Sequence, residues 1–146
     1  MADTMLFIGD ADKENINKAW DAFVCQSPTA HSAHLYGWKR VFEQSFKIKT
    51  KYIFAKDERG RIVGILPLAI LKSILFGNYC VSVPYLNYGG CISQTFDIEN
   101  QLIGRAIHIA EQNKTDHIEF RFSEKKEHLT QTRLKINKAV MIFELP

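Results

Sequence analysis

Thr50-Lys51-Tyr52-Ile53-Phe54-Ala55-Lys56, Asp57-Glu58-Arg59-Gly60 and Arg61-Ile62-Val63-Gly64-Ile65-Leu66-Pro67-Leu68-Ala69-Ile70-Leu71 follow one another without a break, and their reading decides the fold. The first segment alternates around Tyr52 and Phe54 and is rich in β-formers, so it predicts a strand. The tetrapeptide after it is a turn, with Gly60 where a positive φ costs little. The third segment reads as the return strand of a hairpin. Pro67 has no N–H to give a ladder, so a bulge or an edge is expected there. Gly64 weakens the strand locally and allows another backbone or side chain to come close.

Toward the N-terminus, Met5 to Ile8 predicts a short edge strand, and Asp10 or Asp12 can cap the helix that follows. Ile16, Ala19, Trp20, Phe23 and Val24 recur at helical spacing and form one apolar stripe, which Ser27-Pro28 ends. A second helix is expected from near Ser32, with Leu35, Trp38, Val41, Phe42 and Phe46 on its inner face. Two amphipathic helices, each with one Trp, need a sheet or each other to cover them.

Toward the C-terminus, Tyr79 to Val83 predicts a strand closed by Pro84, and Asn87-Tyr88-Gly89-Gly90 a loop. Asp97 can cap a helix whose apolar positions are Ile98, Leu102, Ile103, Ala106, Ile107 and Ala110. His117 to Phe122 reads as a strand, Ser123 as the cap of a short helix, and Ala139 to Leu145 as a last strand. The expected architecture is α/β (α+β): one domain over residues 1–146, with a mixed, mostly antiparallel splayed sheet and helices on both faces. Two early helices, an antiparallel run and a βαβ-like crossover follow the element order of the GNAT acyltransferase fold. That likeness is one of topology, and a fold alone does not give a function.

Composition narrows the classes. The 146 residues suit one domain, and 46% hydrophobic with 24% charged residues is a globular balance rather than a disordered one. A net charge of +3 decides little. The most basic region, Lys114 to Lys138, is diluted by Asp116, Glu119, Glu124 and Glu127, so it reads as a solvated surface; RNA or another polyanion is the alternative, and DNA is not expected. Cys25, Cys80 and Cys91 form neither a close pair nor a CxxC knuckle; Cys25 and Cys80 read as buried thiols. The longest apolar run is too short for a membrane span, there is no signal peptide, and a reducing cytoplasm is the simplest setting.

No nucleophile elbow, Walker loop, HExxH or GxGxxG is present. His31 and His34 share a helical face, but no third ligand is evident, so no metal is expected. An acetyl-CoA enzyme on a GNAT-like fold should carry a Gly-rich turn whose N–H groups hold a pyrophosphate at a helix start. The segment before Asp97 has two glycines and no cation at the right offset, so no cofactor is expected for this chain. Glu119 and Arg121 point to one side of a strand; they read as a structural salt bridge, with a groove-lining carboxylate as the alternative. The loop around Asn87 and Tyr88 lies past a strand end, where a splayed sheet opens a cleft; the plainer reading is a turn needing Gly89 and Gly90.

Several pieces together resemble FemAB-type proteins, in particular the subgroup associated with exosortase and exopolysaccharide loci. They are Trp20-Asp21-Ala22-Phe23-Val24, His34-x-x-x-Trp38, Tyr52-x-x-Ala55, Gly60 to Leu68, Lys72-Ser73-x-Leu75-Phe76-Gly77, Val81 to Tyr85, Asn87-Tyr88-Gly89-Gly90 and Ile118-Glu119-Phe120-Arg121. Ser32-Ala33 departs from the pattern, where relatives more often have aromatics. Such proteins are about twice this long and pair two GNAT-like domains, so the resemblance implies an N-terminal half whose second domain is absent. It implies transfer of an acyl or aminoacyl group to an amine of a cell-envelope or polysaccharide-related acceptor, with aminoacyl-tRNA or another acyl donor. Lys72, Asn87, Tyr88, Gly89 and Arg121 are then the expected substrate-binding residues, Lys72 and Arg121 for phosphate or carboxylate groups. Partners would be the second GNAT-like domain or another copy in a homodimer. The rivals are a non-catalytic ligand-binding or self-associating module and a small acetyl-CoA-dependent N-acetyltransferase.

Overall fold

In this computed structural model, the structure describes residues 6–75, 77–126 and 129. The expected strand at Ala139 to Leu145 lies outside the described residues. The elements run β1 (Phe7–Asp10), α1 (Asn17–Gln26), a 3-10 turn (Ser32–His34), α2 (Gly37–Gln44), β2 (Lys49–Lys56), β3 (Ile62–Ser73), β4 (Gly77–Val81), β5 (Ile92–Ser93), α3 (Phe96–Gln112) and β6 (His117–Glu119). The sheet order is β1-β2-β3-β4-β6, with β5 also on β3. All pairs are antiparallel except β4 with β6.

The hairpin forms as its sequence dictates. Asp57 Oδ1 accepts the N–H groups of Arg59 and Arg61, and Gly60 turns the chain at φ 73°. Alternation then separates two cores. Ile53, Ala55, Leu66 and Leu68 face α3, where Ile98, Leu102 and Ala106 cover them. Tyr52, Phe54 and Ile65 face the other way, onto Trp20, Phe23 and Val24 of α1. Trp20 is wholly buried; its truncation to Ala would cost about 3–5 kcal/mol. Helices therefore cover both faces.

The bulge is not at Pro67. Ala55 pairs with Gly64 and Lys56 with Ile62, which leaves Val63 as the extra residue, whereas Pro67 pairs in register with Tyr52. On the far side of β3, β5 takes Gly64 and Ile65 and β4 takes Ala69 to Ser73. Pro67 thus falls in the gap between these partners, a local edge inside a central strand. Gly64 does admit a close neighbour: a Cβ there would come within 2.7 Å of Ile98 Cγ2 and 2.9 Å of Leu102 Cδ1.

Helix starts were the least legible feature. Neither Asp10 nor Asp12 caps α1. Both reach Lys51, and Asp12 Oδ1 also lies 2.8 Å from Lys39 Nζ. Lys39 is buried and joins Glu43 and Thr50 as well, so β1, α2 and β2 are tied by one charged network. Thr95, not Asp97, caps α3, accepting the Ile98 N–H. Ile107 is exposed while Ile109 is buried, and Cys25 is exposed, unlike Cys80 and Cys91. Residues 124–126, where the helix expected after Ser123 would begin, are not helical, and the stretch beyond them lies largely outside the described residues. No helix among the described residues is long and apolar enough to cross a membrane.

Candidate functional site

The gap in β3's pairing is where the chain leaves the sheet. After β4 the parallel pairing continues for one bond, from Ser82 N–H to the Glu119 carbonyl at 2.9 Å. Ser82 Oγ then accepts the Arg121 N–H at 2.8 Å. The Arg121 carbonyl accepts from Gly89 and Gly90 N–H at 3.0 and 2.9 Å. The loop from Ser82 to Gly90 thus departs from Arg121 and comes back to it. Its guanidinium fastens the middle: Nη1 donates to the Leu86 carbonyl at 2.9 Å and Nε to Glu119 Oε1 at 2.7 Å.

The loop carries backbone strain. Val83 and Tyr85 sit at φ 58° and 65°, a left-handed form that costs a β-branched residue on the order of 1–3 kcal/mol. Val83 is buried with Ala33 and Phe42, which offsets that cost by packing. Its side chain fills the place a Cβ on Gly89 would need. A Cβ on Gly90 would come within 2.6 Å of the Phe122 ring. Both glycines serve close packing.

Between this loop, β5, the start of α3 and the segment after β6 lies a cavity of about 320 Å³. Tyr88, Cys91, Glu99, Arg121, Phe122 and Lys126 are among the residues that line it. Glu99 is only 2% exposed, although it is a carboxylate in the first turn of α3. Lys126 Nζ lies 3.3 Å from its Oε1, and 5.1 Å from the centroid of the Phe122 ring. Burial, and then the Glu99 charge, push the Cys91 thiol well up, with Lys126 pulling the other way. The thiol therefore stays protonated at neutral pH and is a poor nucleophile.

His34 supports the rim. Its Nδ1 accepts the His31 N–H at 3.0 Å, which leaves Nε2–H to donate to the Gly90 carbonyl at 3.0 Å. The Trp20 indole N–H holds the His34 carbonyl at 2.7 Å, so α1 is linked through His34 to the cavity. Burial lowers the His34 pKa, against the pull of its hydrogen bonds with Gly90 and His31. With both ring nitrogens engaged, it acts as a post and not as a base. Among the described residues, no group of three or more His, Cys, Asp or Glu is placed to hold a metal.

The residues singled out from sequence do not all meet. Tyr88 and Arg121 line the cavity, Tyr88 with its ring 5.1 Å from that of His31. Asn87 is exposed beside them, and Gly89 is buried beneath Val83. Lys72 lies elsewhere, in a groove at the other end of the hairpin with Phe46, Lys47, Lys49, Tyr79 and Tyr85. Glu119 and Arg121 form the salt bridge, and Glu119 is not in the cavity wall. Sequence reasoning passed over Glu99 and Lys126. Glu99 left a signal: with Leu102 and Ile103 three and four residues on, it stands inside the apolar stripe of α3. Lys126 left none.

An acetyl-CoA pyrophosphate at the start of α3 would need open N–H groups and nearby cations. The residues do not fit it. Thr95 already takes the Ile98 N–H through its side chain and the Glu99 N–H through its carbonyl. Asp97 and Glu99 place negative charge in that turn, the nearby cations Arg121 and Lys126 are already paired with Glu119 and Glu99, and neither Gly89 nor Gly90 is available as a cradle.

No family model matches the sequence, and no curated protein matches it significantly. Solved structures do match. A transcriptional regulator from Bacillus halodurans C-125 aligns with a TM-score of 0.63 at 13% identity, over 95% of this chain and 100% of that one. A ribosomal-protein-alanine N-acetyltransferase from Brucella melitensis aligns at 0.56 and 11% identity, over 96% and 100%. An aminoglycoside 6'-N-acetyltransferase from Acinetobacter baumannii gives 0.56 and 11%, over 96% and 98%. With a sheet of six strands and three helices among its described residues, this chain has the fold of the GNAT acetyltransferases.

Proposed function

We propose that the chain is a FemAB-like N-acyltransferase domain, which joins an activated acyl or aminoacyl group to an amine and needs a second GNAT-like domain to do so. In that reaction a C–N bond forms and the donor's ester C–O bond breaks. The amine loses a proton, and the departing oxygen takes one up. Positioning can supply most of the catalysis, so a nucleophile motif is not required. The observation that carries the reading is the cavity at the opening of the sheet, which has a buried carboxylate and a strained, fastened loop as its wall. An apolar patch supports a docking partner: Ile74 and Leu75, in the turn between β3 and β4, are fully or nearly fully exposed, and the exposed rings of Phe46 and Tyr85 lie 5.2 Å apart in the wall of the Lys72 groove.

The poor fit of α3 to a pyrophosphate weighs against the small acetyl-CoA enzyme, which the fold alone would permit. The test is to supply aminoacyl-tRNA or acetyl-CoA with a panel of amines, with and without a matching C-terminal domain, and to detect amide by mass spectrometry. Amide from aminoacyl-tRNA only when both domains are present is expected. Acetylation by this chain alone would overturn the reading in favour of the acetyltransferase. A tight dimer that forms no amide under any condition would favour the self-associating module.

A further inference from the structure

The cavity at the start of α3 is lined by two cations, Arg121 and Lys126, each already paired with a carboxylate, and the buried one of those carboxylates is a seat for a cation. Glu99 is 2% exposed, and a carboxylate that deep is stable only when paired. One partner is an ammonium, Lys126 Nζ at 3.3 Å, which arrives from the segment after β6. The same nitrogen lies 5.1 Å from the Phe122 centroid, within reach of a cation–π attraction. Cys91, Ile92 and Phe96 line the same cavity. Lys126 is thus already a primary alkylamine whose ammonium is seated between a carboxylate and an aromatic ring. It is a movable one, because its side chain remains 27% exposed.

We infer that this cavity is an ammonium site: it takes the primary alkylammonium group of the acyl acceptor against Glu99, in the place now held by Lys126. The acceptor's role rests on the transferase reading above; the binding does not. Lys126 then acts as a competitor within the chain, leaving when an acceptor enters and returning when the product amide, which has no positive charge, departs. Exchange of one ammonium for another keeps a cation against the buried carboxylate throughout. The site favours a primary amine, whose ammonium matches the one it replaces.

The experiment is an amide-resolved NMR titration of the whole chain with n-butylamine and with Nα-acetyl-lysine methylamide. The isosteric n-butanol and inorganic pyrophosphate are the controls. Saturable shifts at Cys91, Ser93 and Glu99 are expected with the amines and not with butanol or pyrophosphate. Lys126→Met, which keeps the stem and removes the competitor, should tighten amine binding about ten-fold; Glu99→Gln should weaken it about ten-fold. Should either variant fail to fold, the wild-type titration decides. No saturable amine shift at millimolar concentrations, or pyrophosphate shifting the same amides, overturns the inference. An amine that binds here but is never acylated would break the transferase reading and leave the ammonium site standing. Acyl transfer with an unchanged KM in Glu99→Gln would do the reverse.

Discussion

Two hollows in this molecule invite comparison, and the larger one is the less built. The groove beside Lys72 has a volume of about 470 Å³ against about 320 Å³ for the cavity at the start of α3. Its polar lining is mostly lysine at the surface, such as the exposed Lys47 and Lys72. The smaller cavity has a carboxylate removed from water, an ammonium brought to it, and a loop held in a strained form. Surface charges cost little to place and say little about purpose. A buried charge is costly, and the chain retains it only where the surrounding groups are arranged for it.

The comparison breaks first at Gly90. Gly90→Val would drive a side chain into the Phe122 ring, so a loss of about 3 kcal/mol is expected, the upper end for overpacking. Urea denaturation measures it. A loss under 1 kcal/mol would mean that Phe122 moves aside and that the cavity wall is soft. Arg121→Met comes next. It removes the guanidinium bonds to Leu86 and Glu119 but keeps the stem, and should cost about 2 kcal/mol. Hydrogen exchange should then rise between residues 82 and 90 before it rises in β2. Uniform exchange would show that the loop needs no fastening.

The sequence carried the fold far better than it carried the site, and the reason is physical. Periodicity reports burial averaged along an element, so the hairpin, α1 and α3 were readable from Tyr52, Trp20 and Leu102 alone. A site depends on which distant side chains meet. Lys72 and Tyr88 are sixteen positions apart in one run of motifs, yet the long hairpin carries Lys72 to its far end while the loop folds back onto Arg121. Glu99 could have been suspected, being a charge on an apolar stripe. Its partner Lys126 could not, because nothing local in that segment announces a contact with α3. The misplaced helix caps have a similar origin: Asp10 and Asp12 found lysines on β2 and α2, and those long-range pairs outcompeted a local cap.

His34 gives a smaller effect with a sign that can be worked out. Burial depresses its pKa below the ordinary 6.5, so folding favours the neutral ring. The unfolded chain then binds more protons than the native one as pH falls below that value. Its contribution is complete above about pH 6.5 and is lost as the pH drops through the lower folded-state pKa. His34→Gln should cost about 1 kcal/mol at neutral pH, for altered hydrogen bonds to Gly90 and His31. It should also flatten the decline in stability between neutral and mildly acidic pH. If wild type and variant lose stability in parallel, another group carries the acid sensitivity, and the post beneath Gly90 is not His34.

Lys72 should give the smallest effect of all, and its test separates the two hollows most cleanly. The side chain is exposed on β3 opposite Asn78, and it is not in the wall of the α3 cavity. Lys72→Ser should therefore change stability by less than about 0.5 kcal/mol and leave amine titration of the cavity unaltered. Binding of an anionic donor is a different matter. A lysine acting as a point charge on phosphate would, when removed, weaken donor binding and make it less sensitive to salt. Competent amine binding with defective donor binding would assign the acceptor to the cavity and the donor to the groove. Donor binding that is unchanged in both strength and salt response would strip the groove of any role, and the burial of Glu99 would remain the strongest sign of a site among the described residues.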